Sequence, residues 1–155
     1  MPLEIERKFL VTSGAWREGA DACSIRQGYL CLGVDTTVRI RIAGAEAFIT
    51  VKSKTEGLSR AEFEYSIPLG DAEMMLETLC ARPLIEKTRY TAEHAGKVWT
   101  IDVFAGENDG LVVAEVELNG PDEIVSLPDW VGEEVTYDPR YRNSALVNAP
   151  LGNGS

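Results

Sequence analysis

Charged residues fall on every second position in segment after segment of this chain. In "LEIERKFLV", Glu4, Glu6 and Lys8 alternate with Leu3, Ile5 and Phe9. Arg39 and Arg41 alternate with Val38, Ile40 and Ile42, and Lys52 and Lys54 follow Ile49 and Val51. Arg60, Glu62 and Glu64 alternate with Ala61, Phe63 and Tyr65. Lys87 and Arg89 share a face, as do Glu115 and Glu117, while Asp102 stands between Ile101 and Val103. Successive side chains of a strand point to opposite faces, so each such pair lies on one face, about 6.6–7 Å apart.

The period-2 segments, separated by turn residues, predict strands over 3–11, 24–32, 36–43, 47–53, 60–67, 85–93, 97–104 and 111–118. Mostly hairpin-length connections between them predict antiparallel neighbours. Helices are fewer. "GDAEMMLETLCA" predicts one over 71–81, with Asp71 as N-cap, and a short one follows Ser13 around Trp16. Pro121 and the acids after it predict a third over 121–127, and Asp138 with Pro139 opens a last helix through "DPRYRNSALVNA". The expected fold is mainly β: an eight-stranded antiparallel closed barrel with a few peripheral helices and a C-terminal helix. Closure removes exposed strand edges, and a two-sheet sandwich is the alternative. Residues 1–149 are expected to form one domain and 150–155 a flexible tail.

Any one of these strands could simply turn its charges to water. Taken together they are less ordinary, because the signs segregate: acids with acids at 62/64 and 115/117, bases with bases at 39/41 and 87/89. Like charges on one face repel and gain nothing on an open sheet. Turned inward, they would line one cavity whose charges need compensation, since an unpartnered buried charge costs several kcal/mol. A divalent cation and a polyanion would compensate the two clusters. The apolar faces would then point outward beneath helices such as 71–81, and Arg7, on the apolar face, would reach water from outside.

Composition narrows the chemistry. His94 is the only histidine, so any metal is expected to be held by carboxylates, which favours Mg²⁺, Mn²⁺ or Ca²⁺ over zinc. Cys23, Cys31 and Cys80 fit no ligand or redox spacing and read as reduced thiols. No apolar run is long enough to span a bilayer, and charge from Glu4 onward argues against a signal peptide, so the expected location is cytoplasmic. A net charge of −10 argues against binding nucleic acid or an anionic membrane, though it does not describe one pocket.

"EIERK" resembles the N-terminal ExExK signature of the CYTH superfamily, the triphosphate tunnel metalloenzymes. "RIRI", "TVK", "RAEFE", "KTRY", "IDVF" and "AEVEL" follow in order, and "EVTYDPRYRNSAL" resembles the terminal block of short bacterial members. The resemblance spans about residues 2–147 and implies a tunnel lined by charge that acts on triphosphates with Mg²⁺ or Mn²⁺. It implies Glu4, Glu6, Glu115 and Glu117 as metal ligands, with Glu62, Glu64 and Asp102 as further candidates. Lys8, Arg39, Arg41, Lys52, Lys87 and Arg89 would grip phosphates, Lys54 and Arg60 with them. Glu4, Glu6, Lys8 and Tyr29 form the implied catalytic set, Tyr29 being equally readable as an ordinary strand aromatic.

The activity so implied is hydrolysis of inorganic tripolyphosphate to pyrophosphate and phosphate. The alternatives are a thiamine triphosphatase, a nucleoside triphosphatase, a class IV adenylate cyclase, or a polyphosphate-binding module without catalysis. Ring-bearing substrates would need an aromatic clamp, and Trp16, Trp99 and Trp130 read equally well as packing residues. The C-terminal helix either docks on the barrel or plugs one mouth. A homodimer is compatible with the sequence.

Overall fold

Residues 3–152 are described by a computed structural model. Among them the alternating segments form β1 (Leu3–Val11), β2 (Asp21–Leu32), β3 (Thr36–Ala43), β4 (Glu46–Ser53) and β5 (Ser59–Ser66). They continue with β6 (Ile85–His94), β7 (Lys97–Phe104) and β8 (Val112–Glu117), followed by a short β9 (Val131–Glu134). Two α-helices, α1 (Leu69–Thr78) and α2 (Asn143–Asn148), complete the frame. No helix among the described residues is long and apolar enough to cross a membrane.

Closure depends on β1. Its first residues pair with β5 (Leu3 opposite Ala61, Ile5 opposite Ser59), while Glu6 to Leu10 pair with β8. The circle β1–β5–β4–β3–β2–β6–β7–β8 is therefore complete, every neighbour antiparallel: the expected eight-stranded barrel, with β9 as an extra strand. Strand β9 takes up β1 at Phe9 and Val11, beyond the reach of β5. Arg7 does face outward. Its guanidinium forks onto Glu134 of β9 at 2.9 and 2.7 Å and lies over the Phe9 ring.

The apolar faces are packed from outside. Phe9, Trp99, Ile101, Ala114 and Val116 gather with Trp16, from the expected short helix (a 3₁₀ turn, Ala15–Arg17), and with Val125 and Trp130 from a flanking loop. Trp99 lies between Phe9 and Trp130, its ring centroid 5.6 Å from each, tilted against the first and edge-on to the second, so the tryptophans are packing residues. Helix α1 covers Ile40, Ile42, Ala47 and Ile49 of β3 and β4 with Ala72, Met75 and Leu76, which recur at helical spacing. A Cβ on Gly28 would come within 2.8 Å of Cys80 and 2.7 Å of Leu84, so glycine lets the segment after α1 lie directly on β2.

Three local expectations are corrected. No helix forms at 121–127: the Glu123 carboxylate is drawn to the Asn119 amide at 2.6 Å and to Lys97 at 2.7 Å, and Ile124 is left exposed. Asp71 is not the N-cap of α1; Pro68 holds that place, and Asp71 lies in the first turn. The single C-terminal helix is two pieces, a 3₁₀ turn at Pro139–Tyr141 and then α2, because the chain is extended at Arg142. Asp138 does cap the first of these, accepting from the Arg140 amide at 3.0 Å. Of the expected flexible tail, residues 153–155 lie outside the described residues. Leu151 packs against the barrel, its amide donating to Asn108 Oδ1 at 2.9 Å, and Gly152 is buried.

Candidate active site

The inward faces enclose a cavity of about 470 Å³. Strand order gives it two sides. Glu115 and Glu117 on β8, Glu4 and Glu6 on β1, and Glu62 and Glu64 on β5 make a mainly acidic wall, with Lys8 of β1 and Arg60 of β5 set among them. Arg39 and Arg41 on β3 and Arg89 on β6 stand on the wall built from β3, β2 and β6. Strands β4 and β7 separate the two walls on either side, so acids and bases face each other across the barrel.

At one end the inward positions change character. Tyr29, Ile85, Phe104, Leu111 and Val113 form an apolar layer, sealed by Leu146 and Val147 of α2. The C-terminal segment therefore both docks on the barrel and caps its interior, with Arg142, Asn143 and Ser144 exposed to the cavity. Gly96, Lys97, Val98 and Asn119 line the cavity where the β6–β7 hairpin turns.

Like charges stand close together on each wall, and ion pairs such as Lys8–Glu115 at 3.5 Å and Arg39–Glu64 at 3.7 Å offset part of the repulsion. Burial, with Glu115 and Glu4 nearby, pushes Glu6 up to about 9, and Glu6 shares a hydrogen bond with Glu115. Although buried, Glu115 is held well below the usual carboxylate range, chiefly by Lys8 and Arg89. Glu62 and Glu4 repeat the arrangement. Burial and the bond to Glu4 raise Glu62, while that bond, with Lys52 and Arg60, keeps Glu4 well below its ordinary value despite burial. Lys52 Nζ lies 3.1 Å from both Glu4 and Glu62, and Arg60 Nε lies 3.3 Å from Glu4. Across the cavity, burial and then Arg39 and Arg89 push Arg41 down to about 9. The Arg39 Nε is buried with no acceptor among the described residues, and its Nη2 reaches Thr50 Oγ1 at 3.2 Å.

Most expected site residues meet in this cavity: Glu4, Glu6, Lys8, Tyr29, Arg39, Arg41, Lys52, Arg60, Glu62, Glu64, Arg89, Glu115 and Glu117. Three do not line it. Lys54 follows the end of β4 and is exposed. Lys87 and Asp102 lie deeper, fully buried and paired at 2.7 Å; Asp102 also takes a two-pronged bond from Arg89 at 2.8 and 2.9 Å. Burial, with Arg89 and Arg41 nearby, lowers Lys87 to about 7. The charge pattern did not single out Gln27, Thr50, Arg142 or Asn143. Gln27 and Thr50 are completely buried on inward faces, and a polar residue at an inward position of a charged strand was the available signal.

The donor set suits a hard divalent cation. All candidate ligands are carboxylate oxygens, and they crowd against one another at Glu6–Glu115 and Glu4–Glu62, where a cation would relieve the repulsion. Among the described residues no three such groups already surround one point, so water or substrate oxygens would complete the coordination of a cation held by one or two of the carboxylates.

A family model described as the CYTH domain matches residues 2–145. An inorganic triphosphatase of Acetivibrio thermocellus is 46% identical over 153 residues, covering 99% of this chain and 98% of that protein. One of Nitrosomonas europaea is 43% identical over 148 residues, covering 93% and 96%. A crystal structure of an inorganic triphosphatase superposes with a TM-score of 0.70 at 38% identity, covering 95% of each chain.

Proposed function

The chain belongs to the CYTH domain family, and from that premise we propose that it hydrolyses inorganic tripolyphosphate to pyrophosphate and orthophosphate. The observation that carries this reading is the opposition of an acidic and a basic wall across one enclosed cavity. A tripolyphosphate chain brings closely spaced negative charge to the basic wall and oxygen ligands to any cation on the acidic one. Inorganic triphosphatases similar over nearly the whole chain support the same activity. Tyr29 is the one aromatic residue among the described lining residues and is itself buried, which disfavours nucleotide or thiazolium rings.

In this reading Arg39 and Arg41 hold the phosphate oxygens through their guanidinium donors, Arg89 through those that its two-pronged bond with Asp102 leaves free, and Lys8 and Lys52 act as point charges beside them. Glu4, Glu6, Glu115 and Glu117 would hold Mg²⁺ or Mn²⁺, with Glu62 and Glu64 beside them. Asp102 is left out of that set because Lys87 and Arg89 already occupy its oxygens. When bound, the cation would neutralise phosphate oxygens and acidify the attacking water. The oxygen of that water bonds to the terminal phosphorus while the bridging P–O bond breaks, releasing pyrophosphate and a proton. The arginines stabilise charge on the transferring group and the leaving oxygen, a contribution preorganised by their ion pairs and hydrogen bonds. A cytoplasmic setting fits the free thiols of Cys23, Cys31 and Cys80.

A substrate panel tests the assignment. Tripolyphosphate, ATP and thiamine triphosphate are compared by kcat/KM with Mg²⁺ and then Mn²⁺. Tripolyphosphate is expected to lead by on the order of 10-fold or more, because binding a ring gains nothing here that offsets its desolvation. A ring-bearing substrate in first place would overturn the choice.

A further inference from the structure

Two neutral amides hold Arg41 of the basic wall and Lys87 behind it. Gln27, on β2 between them, is completely buried. Its Oε1 accepts from Arg41 Nε at 2.8 Å, and its Nε2 donates to Asn143 Oδ1 at 3.1 Å. The same Asn143 oxygen accepts from Lys87 Nζ at 2.8 Å. Lys87 then pairs with Asp102, which holds Arg89. One polar chain thus runs Arg41–Gln27–Asn143–Lys87–Asp102–Arg89, and Asn143 alone among these belongs to the C-terminal segment.

That segment reaches a further cation. The Tyr141 carbonyl accepts from Lys8 Nζ at 3.0 Å. Its approach is fixed by the Asp138-capped turn, and α2 is anchored by Leu146 and Val147, both fully buried in the apolar layer. The aim of the cations therefore depends on whether this segment is seated. Without Asn143, Lys87 would keep only Asp102 and the Gln27 amide only Arg41, so both would be less firmly oriented and the acceptor that aims Arg41 less fixed.

We propose that Gln27 and Asn143 are positioning residues that act as one relay, coupling the seating of the C-terminal helix to the placement of Arg41 and Lys87. This rests on the triphosphate reading of the cavity. Neither amide need touch substrate; each orients a cation that does, or one that orients another. Displacing a binding group by about an ångström can cost up to roughly 100-fold in rate.

The test is a double-mutant cycle with Asn143→Leu, Gln27→Met and the pair, each followed by thermal melting, steady-state kinetics and calorimetric titration with inorganic tripolyphosphate. Each single variant is expected to raise the KM and the Kd for tripolyphosphate roughly 10-fold. The double variant should be no worse than the weaker single one, because either substitution already breaks the relay. A merely structural role would lower the melting temperature and leave the KM of the folded protein unchanged. That result, or fully additive losses, overturns the proposal. If Asn143→Leu does not fold, Gln27→Met decides alone by the same KM and Kd criterion. A wild type that binds tripolyphosphate and releases no phosphate would contradict the proposed function instead, with the relay still readable in the Kd values.

Discussion

Glu6→Gln is expected to leave the barrel folded and to remove metal-dependent phosphate release almost completely. Buried beside Glu115 and Glu4, the Glu6 carboxyl is raised to about 9 and is neutral at pH 7 in the metal-free protein. Glutamine copies that neutral acid in size and can donate the same hydrogen bond to Glu115, so the melting temperature should change little. It cannot take up the charged, ligating form. Loss of one anionic ligand from the acidic wall should lower kcat/KM on the order of 10²–10³-fold, as removing one electrostatic stabiliser does elsewhere. Thermal melts and a phosphate-release assay on the same preparation check both halves. Full activity in a folded Glu6→Gln protein would remove Glu6 from the metal site.

Asp102→Asn should have the opposite profile, with its largest effect on stability. The carboxylate is the shared partner of Lys87 at 2.7 Å and of Arg89 at 2.8 and 2.9 Å, and it is completely buried. Removing one partner of a buried pair costs about 3–5 kcal/mol, which for a chain of this size lowers the melting temperature by roughly 6–20 °C. Lys87, already lowered to about 7 by burial, can shed its proton and limits the loss. The pH dependence has a definite sign. Despite burial, Lys87 and Arg89 depress the folded-state value of Asp102 to about 2. Its contribution is therefore full above the ordinary carboxylate value of about 4 and is lost as pH falls toward the folded-state value. Melting curves of wild type and variant should converge across that interval. Equal melting temperatures at pH 7 would contradict the buried pairing.

These two residues also mark what the sequence could convey. Alternation identified the face of each strand: β3 and β7 have the expected bounds, and the like-charged pairs Arg39/Arg41 and Glu115/Glu117 do turn inward. Periodicity carries no information on depth along the barrel. Lys87 and Arg89 lie on one strand face, yet Lys87 is sealed behind the cavity with Asp102 while Arg89 lines it. Gln27 and Asn143 were missed because a reading built on charge passes over neutral amides, although these join the cations to the C-terminal segment. Strand β9 escaped for a different reason. "VGEE" is short and polar, and it becomes a strand because β1 has a free edge beyond the end of β5. At 121–127 local helix signals lost to a tertiary contact, the Glu123 carboxylate being held by Lys97 on β7.

The central claim is that the inward charges form a cation-dependent hydrolytic site for a linear polyphosphate. The most direct measurement is a product balance with inorganic tripolyphosphate, quantifying orthophosphate and pyrophosphate separately, with Mg²⁺ or Mn²⁺ present and then removed by chelation. The expected result is equal amounts of the two products, formed only while the cation is present. Tight binding of tripolyphosphate, seen as a raised melting temperature, with neither product formed under any divalent cation would contradict it and leave a binding module in its place.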